Sequence, residues 1–318
     1  MAKKPRFLIV TAMKNEGPYV LDWIAHHLSI GFDHFFVATN DCDDGTDRIL
    51  DRLAELGHVT HVPNPKMMNR DKGQWQVMTL RYARLFNVYR DAEWIFHSDV
   101  DEYLQFNTPQ KSLDGFFEQV GESDVVSFTS VPYNSNDQKG LIDEPIVSQF
   151  TQRNKPYRQA LSDAQDSPET TPVLNAVKTM YRNDIKFRLR RNHRPLLETF
   201  SQTGRIWRDG SGRMMGPDYT DTEFKAMNAL VSVDHAQLNH YAIRSMEAYL
   251  LKVDRGDVAG TTRLEQPLKY WTGYNRAGDD DLRYSKPTDA CLKIRGSSSA
   301  IRLSRSSWLS PKSCHKEK

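Results

Sequence analysis

The residues with the clearest chemical potential are three carboxylates that follow a short apolar run. Residues 93–97 have the character of a buried strand, and Asp99, Asp101 and Glu102 come directly after it. Because side chains at positions i and i+2 share a face at a strand end, Asp99 and Asp101 can converge on one ion. Their hard oxygens suit Mg²⁺ or Mn²⁺, which also keeps positions open for phosphate oxygens. One aspartate here would more simply cap a turn, but three neighbouring carboxylates repel one another, which favours a metal site.

The elements that must position these carboxylates alternate between strand-like and helical patterns. Predicted strands cover 7–12, 35–39, 58–62, 93–97 and 125–128. Predicted helices begin at Pro18, follow the polar loop 40–46 with Ile49, Leu50, Leu53 and Leu56 on one face, and span 75–89. This alternation predicts an α/β fold with a mostly parallel, twisted sheet flanked by helices. Ligands collect at the carboxyl ends of such strands. The polar segments 14–16, 40–44 and 99–102 are therefore candidates for a single site.

Length, charge and cysteine content limit the possible classes of protein. A chain of 318 residues suits one large domain or two closely packed ones, and a net charge of +2 gives no strong case for nucleic acid. Three widely separated cysteines form no disulfide framework, which favours a reducing compartment. No apolar run approaches a signal-peptide core or the roughly 20 residues of a spanning helix. We therefore expect a soluble, cytoplasmic protein.

The C-terminal segment is basic. Residues 282–318 hold nine Lys or Arg against Asp289 and Glu317. Such a segment is usually a solvated, poorly ordered terminus. The alternative is peripheral contact with the anionic inner membrane, to which each basic residue would contribute roughly 1 kcal/mol.

A second basic region covers residues 188–213, with seven arginines against Glu198 and Asp209. The planar guanidinium matches phosphate and carboxylate groups, so an anionic acceptor or a donor diphosphate would explain the excess. A solvated basic face is an equally good explanation. The candidate contacts are His193 and Arg194, followed by the weaker Lys72 and Lys178.

Three blocks of sequence resemble a known group of enzymes. They read TAMKNEGPYVLDWIAHHLSIGFDHFFVATNDCDDGT, WIFHSDVDEYL and LNHYAIRSMEAYLLK, and lie between Phe7 and Lys252. They are similar to bacterial glycosyltransferases related to families two and ninety-two, which share the GT-A fold. The resemblance implies a catalytic domain over 1–275, with a nucleotide-binding half (1–130) and an acceptor half (131–275). A basic tail would follow over 276–318.

The resemblance also implies roles for individual residues. Asn15 and Glu16 would lie beside the donor nucleotide, and Asn40 and Asp41 would face its base and ribose. Asp99 and Asp101 would form the DxD pair that ligates the metal, with Asp99 also at the donor. His240 would complete the coordination of metal or diphosphate, although a histidine in this sequence context is more often buried and hydrogen-bonded.

Inverting transfer also requires a general base, normally a carboxylate that deprotonates the acceptor hydroxyl. The family pattern places it well downstream of the DxD pair. The candidates are Glu198, Asp209, Asp218 and Asp221. We favour Asp209, whose neighbouring glycines could bring the backbone close to a ligand, and then Asp218, although each could be an ordinary surface carboxylate.

The sequence therefore predicts a metal-dependent glycosyltransferase that uses Mn²⁺ or Mg²⁺ and a nucleotide-sugar donor, expected to be UDP-linked. The acceptor would be a glycan or a lipid-linked glycan of cell-envelope polysaccharide or lipopolysaccharide biosynthesis, with no nucleic acid as partner. One alternative is a DxD-type metal-dependent phosphohydrolase with an aspartyl nucleophile. The other is a non-catalytic glycosyltransferase-like binding module.

Overall fold

A ten-stranded mixed sheet organises the chain in the computed structural model. The structure describes residues 4–64, 75–154, 174–222, 228–256 and 266–297. The strands are β1 (Phe7–Met13), β2 (His34–Thr39), β3 (Val59–Pro63), β4 (Trp94–His97), β5 (Glu102–Phe106), β6 (Val125–Pro132), β7 (Leu174–Arg182), β8 (Trp207–Asp209), β9 (Asn228–Leu230) and β10 (Ala236–His240). The described helices are α1 (Gly17–Ser29), α2 (Thr46–Glu55), α3 (Trp75–Ala83), α4 (Asn87–Asp91), α5 (Leu113–Val120), α6 (Ile146–Gln149), α7 (Pro217–Thr220), α8 (Met246–Arg255), α9 (Pro267–Tyr274) and α10 (Asp289–Ser297).

The N-terminal half is a parallel sheet in the order β3-β2-β1-β4. All seven residues of β1 are buried, as expected for a central strand covered on both faces. Its alternating side chains enter two separate cores, with Ile9 in one and Leu8 and Val10 in the other. The carboxyl ends of these strands lie at one edge of the sheet, because Met13 is in register with Thr39 and Val10 with His97.

Beyond β4 the sheet becomes mixed. Strand β7 runs antiparallel between β4 and β6, while β10 lies parallel to β6 and antiparallel to β5. The remaining pairs are β6–β8, which is parallel, and β7–β9, which is antiparallel. The predicted α/β fold, with helices around a mostly parallel N-terminal sheet, is confirmed.

The strand break after β4 is the feature that positions the acidic cluster. Strand β5 follows β4 after only four residues, yet it pairs with β10 and not with β4. The chain therefore leaves one part of the sheet and enters another within the segment 98–101. Neither β5 nor β10 was predicted, and the predicted helix over 75–89 is divided into α3 and α4.

The described part of the basic tail packs on the fold. Helix α10 lies against α1, where Arg295 Nε is 3.2 Å from Asp22 Oδ1 and Cys291 is buried. Residues 276–297 are thus not a solvated extension, because α10 packs on α1 and Asp281 binds Arg153 and Tyr133. Residues 298–318 lie outside the described chain. No described helix is long and apolar enough to cross a membrane.

Candidate active site

The turn between β4 and β5 brings Asp101 to the end of β10. Asp101 accepts a backbone hydrogen bond from Tyr241 N at 2.8 Å, which ties the turn to the residue after β10. As a result His240 Nε2 lies 3.8 Å from Asp101 Oδ1. Both side chains keep some exposure, 20% for His240 and 15% for Asp101. The structure therefore joins two of the three predicted metal ligands, although 139 residues separate them in the sequence.

Each aspartate of the DxD pair holds a lysine. Lys178 Nζ lies 2.8 Å from Asp99 Oδ2, and Lys252 Nζ lies 2.9 Å from Asp101 Oδ2. Lys178 comes from β7, the neighbour of β4, whereas Lys252 comes from α8. Two basic side chains from distant segments therefore offset the charge of the acidic cluster.

These lysines decide the protonation of the aspartates. Burial alone would raise the pKa of Asp99, but the Lys178 ammonium outweighs it and lowers that pKa. Burial opposes ionisation of Asp101 in the same way, and Lys252 together with His240 holds its pKa well below the usual range. Both aspartates are consequently anionic near neutral pH, the form needed to bind a cation.

Behind the aspartates lies a buried polar layer that gives the pair a fixed support. Glu102 accepts from Asp99 N at 2.9 Å and lies 3.2 Å from Lys178 Nζ. Burial raises the pKa of Glu102 to about 7 against the attraction of that ammonium. Burial and then Lys178 lower the pKa of His97 to about 3, so this imidazole is neutral. Glu102, the third carboxylate of the cluster, is almost fully buried and thus holds Asp99 from the protein interior.

The ends of three parallel strands present polar atoms without a hydrogen-bond partner among the described residues. They are Asn40 Oδ1 after β2, Asn64 Oδ1 after β3 and His97 Nε2 at the end of β4. All three side chains are more than nine-tenths buried. Buried polar atoms normally have partners, so these three atoms are spare hydrogen-bonding capacity at the sheet edge where α/β folds collect ligands.

Asn15 and Glu16, the two residues predicted to lie beside the donor nucleotide, hold the loop after β1 to its surroundings. Asn15, in the left-handed region at φ 51°, donates to Asp43 Oδ1 at 2.7 Å and accepts from Asp43 N. Glu16 is buried and forms ion pairs with Arg244 and Arg255. Its carboxylate is therefore engaged within the protein and orders the loop. Asp41 also has a left-handed backbone, at φ 49°, directly after Asn40.

Of the predicted contacts in the second basic region, His193 lies at the cluster and Arg194 does not. His193 Nδ1 is 2.9 Å from the carbonyl of Val177, the residue before Lys178. Arg194 is 1% exposed and donates to the carbonyls of Tyr219, Thr220 and Thr222 at the end of α7. The guanidinium of Arg194 thus caps a helix inside the protein, and the structure does not bring it to the acidic cluster. Lys72 lies outside the described residues.

The predicted bases have structural surroundings of their own. Asp209 accepts from Ser211 N and from Arg213 N and Nε, so it stabilises the turn after β8. Asp209 is in register with Ser127 of β6, and strands β6 and β7 lie between it and β4. The structure thus does not bring Asp209 to the acidic cluster.

The remaining base candidates lie in the same peripheral region. Asp218 is an exposed residue in the first turn of α7. Glu198 pairs with Arg188 at the surface, and Asp221 accepts hydrogen bonds from Ser201. No contact in the described chain links any of them to the DxD pair, so these predictions are not supported by the geometry.

Several residues of the site were not identified from the sequence. Gln76 of α3 donates to Asp99 Oδ1 and accepts from Asn192 Nδ2. Arg244 donates to the carbonyl of Val100 at 2.9 Å, between the two aspartates. Lys252 could have been found, because it follows Tyr249 and Ser245 at helical spacing on the face that α8 turns towards the fold.

The donor atoms fit a hard divalent cation only in part. Within the described ranges, no group of three or more His, Cys, Asp or Glu side chains is arranged to hold a metal ion. Asp101 and His240 are close enough to share one ion, and carboxylate with imidazole suits Mn²⁺. Asp99 would be the third ligand, and its Oδ atoms now contact Lys178 and Gln76.

The polar, lysine-neutralised acidic pair lies at the strand ends, the place where open α/β sheets bind their ligands. Comparison with known proteins gives the family. The family model for glycosyltransferase family 92 matches residues 13–185. The chain therefore belongs to glycosyltransferase family 92.

Relatives and similar structures are distant. A family 92 protein of Oryza sativa subsp. japonica is 29% identical over 107 residues, 33% of this chain and 17% of that protein. One of Ricinus communis is 26% identical over 141 residues, 44% of this chain and 24% of that protein. The chain thus spans less than a quarter of the length of these relatives. Among solved structures, S. aureus TarS is similar with a TM-score of 0.36 and 11% identity, over 85% of this chain and 43% of TarS.

Proposed function

We propose that this family 92 chain transfers a sugar from a nucleotide-sugar donor, with Mn²⁺ or Mg²⁺ held by Asp101, His240 and Asp99. The donor is proposed to be UDP-linked and the acceptor a glycan or a lipid-linked glycan of the cell envelope. Transfer is proposed to invert the anomeric centre and to take place in the cytoplasm, with the basic C-terminal tail (276–318) in peripheral contact with the anionic inner membrane.

The observation that carries this proposal is the place of the DxD pair. It follows the carboxyl edge of the parallel strands, where polar atoms of Asn40, Asn64 and His97 have no hydrogen-bond partner in the described part of the chain. A nucleotide lying along this edge would meet hydrogen-bond partners at its base and ribose, with its diphosphate near the aspartates. Family membership favours glycosyl transfer over the phosphohydrolase alternative.

The residues of this chain have distinct tasks in such a reaction. Bound metal would neutralise the leaving diphosphate as the anomeric bond breaks. Lys178 keeps Asp99 ionised and in place, while Glu102 holds the backbone of the turn. Arg244 fixes the carbonyl between the aspartates, so the pair is held in one geometry before any ligand binds. We assign no general base, because the four carboxylates predicted for this role lie elsewhere.

The test is metal-dependent nucleotide binding, measured by titration calorimetry of UDP in Mn²⁺ and in EDTA. We expect binding in Mn²⁺ to weaken by about a hundredfold in Asp101→Asn, since one ligand loses its charge. Asp254→Asn changes an exposed aspartate of α8 and serves as the matched control, with wild-type affinity expected. Equal UDP binding by wild type and Asp101→Asn, or binding unaffected by EDTA, would contradict the metal site.

Catalysis requires a second measurement. A panel of nucleotide sugars is incubated with Mn²⁺, and release of free nucleotide is followed with and without glycan acceptors. Turnover with at least one donor is expected. Binding of nucleotide without turnover of any donor would instead support the non-catalytic binding module.

A further inference from the structure

Lys252 pairs with one oxygen of the Asp101 carboxylate, Oδ2, while His240 faces the other, Oδ1. Its ammonium lies 2.9 Å from Asp101 Oδ2 and 2.8 Å from the carbonyl of Ala242. The side chain reaches this point from α8, past the ring of Tyr270 at 5.7 Å, and it remains 20% exposed. A flexible lysine thus shields the carboxylate that faces His240.

The two lysines of the cluster differ in how firmly they are held. Lys178 is 1% exposed and contacts two carboxylates, those of Asp99 and Glu102. Lys252 has one carboxylate and one carbonyl as partners and reaches solvent. Release of Lys252 therefore breaks one partly buried ion pair and one hydrogen bond to a carbonyl, whereas release of Lys178 would leave two carboxylates unpaired inside the protein.

We propose that Lys252 and a divalent cation compete for Asp101, and that the donor diphosphate receives the displaced ammonium. This inference rests on the proposed function, since it concerns the same metal. The lysine then makes metal binding and nucleotide binding depend on each other. Metal alone must displace an ammonium that gains no new partner, while metal with a diphosphate gives that ammonium a new anion.

The charges around the pair support this coupling. Asp99 and Asp101 are the ionised groups, and Lys178 and Lys252 already oppose them one for one. A divalent ion added to this balanced set meets repulsion from the ammonium next to it. A nucleoside diphosphate supplies the missing negative charge, so the two ligands bind together better than either one binds alone.

The experiment measures Mn²⁺ affinity by titration calorimetry near neutral pH, with and without saturating UDP, after subtraction of the protein-free Mn²⁺–UDP titration. The proteins are wild type, Lys252→Met, Lys252→Arg and the control Lys293→Met. Lys293 is an exposed lysine on α10. Circular dichroism and thermal melting show whether each variant is folded. Lys252→Arg keeps a cation at the position and serves as the second variant if Lys252→Met does not fold.

In wild type and in Lys293→Met, UDP is expected to tighten Mn²⁺ binding by about tenfold or more. In Lys252→Met, Mn²⁺ alone should bind about five- to tenfold more tightly than in wild type, because its competitor is gone. UDP binding in Mn²⁺ should weaken at the same time, so the coupling between the two ligands falls. Lys252→Arg should retain most of the coupling. A merely structural role would weaken both ligands together.

Two other outcomes are distinguishable. Unchanged or weaker Mn²⁺ binding in folded Lys252→Met, with coupling as in wild type, would overturn the competition while leaving the metal site intact. Absence of Mn²⁺ binding in every protein, with and without UDP, would overturn the proposed metal and this inference with it.

Discussion

Replacement of Lys178 by methionine offers the sharpest test of the buried layer beneath the DxD pair. The ammonium lies 2.8 Å from Asp99 and 3.2 Å from Glu102, and methionine fills similar space without a charge. Loss of one partner from a buried ion pair typically costs about 3–5 kcal/mol. Asp99 is 27% exposed and keeps Gln76, and Glu102 keeps Asp99 N. We therefore expect Lys178→Met to lower the free energy of unfolding by about 3 kcal/mol, the lower limit of that range.

A double mutant isolates the part of this cost that comes from the unpaired carboxylate. Glu102→Gln alone leaves Lys178 paired with Asp99 and should cost about 1 kcal/mol. In Lys178→Met/Glu102→Gln neither a buried ammonium nor a buried glutamate remains. The double mutant should then lose only about 2 kcal/mol, against about 4 kcal/mol if the single effects were additive.

The assay is equilibrium urea denaturation of the four proteins, followed by circular dichroism at one pH near neutrality. A coupling of about 2 kcal/mol between the two positions would support the ion-pair account. Additive losses would refute it, since they would mean that Lys178 contributes through packing alone. Lys178→Met should also weaken UDP binding in Mn²⁺, because Asp99 loses the ammonium that keeps it ionised.

Three further predictions concern stability and order. Burial lowers the pKa of His26 to about 4, so its neutral form contributes stability above pH 6.5 that is lost as the pH falls towards 4. The loss in free energy of unfolding caused by His26→Gln, measured by urea denaturation, should thus be about 2 kcal/mol smaller at pH 5 than at pH 7.5. Equal losses at the two pH values would contradict this account. In Gly210→Ala, the new Cβ would lie 2.5 Å from the carbonyl oxygen of Ala236. Urea denaturation should therefore show a free energy of unfolding lower by about 2–3 kcal/mol. A change within about 0.5 kcal/mol would show that the backbone moves to make room. Arg255 donates to the carbonyls of residues 14 and 15, so Arg255→Met should raise hydrogen exchange in the loop after β1, with unchanged protection there as the contrary result.

Local pattern was sufficient to predict the parallel half of the fold. The apolar, β-branched runs of β1 and β2 and the amphipathic periods of α1 and α2 depend on neighbours in the sequence. The carboxylates after β4 could be identified from the sequence for the same reason. The cap of α8 is a local feature of the same kind, since Ser245 Oγ accepts from Ala248 N within the first turn of the helix.

The residues that surround the aspartates depend on pairing between distant strands and helices. Lys178 meets Asp99 because β7 inserts antiparallel beside β4, and Lys252 meets Asp101 because the turn after β10 aims α8 at the cluster. Asp209 and Arg194 illustrate the reverse case. Their residue types suit catalysis and phosphate binding, but local turns and a helix end use their polar atoms.

The sequence by itself determined the acidic pair, the strands that end beside it and the family to be expected. Only the tertiary structure decided which charges oppose that pair, because ion pairs form between side chains brought together by long-range strand pairing. A carboxylate's chemistry depends on burial and on the nearest cation, and neither is encoded within a few residues of Asp99 or Asp101.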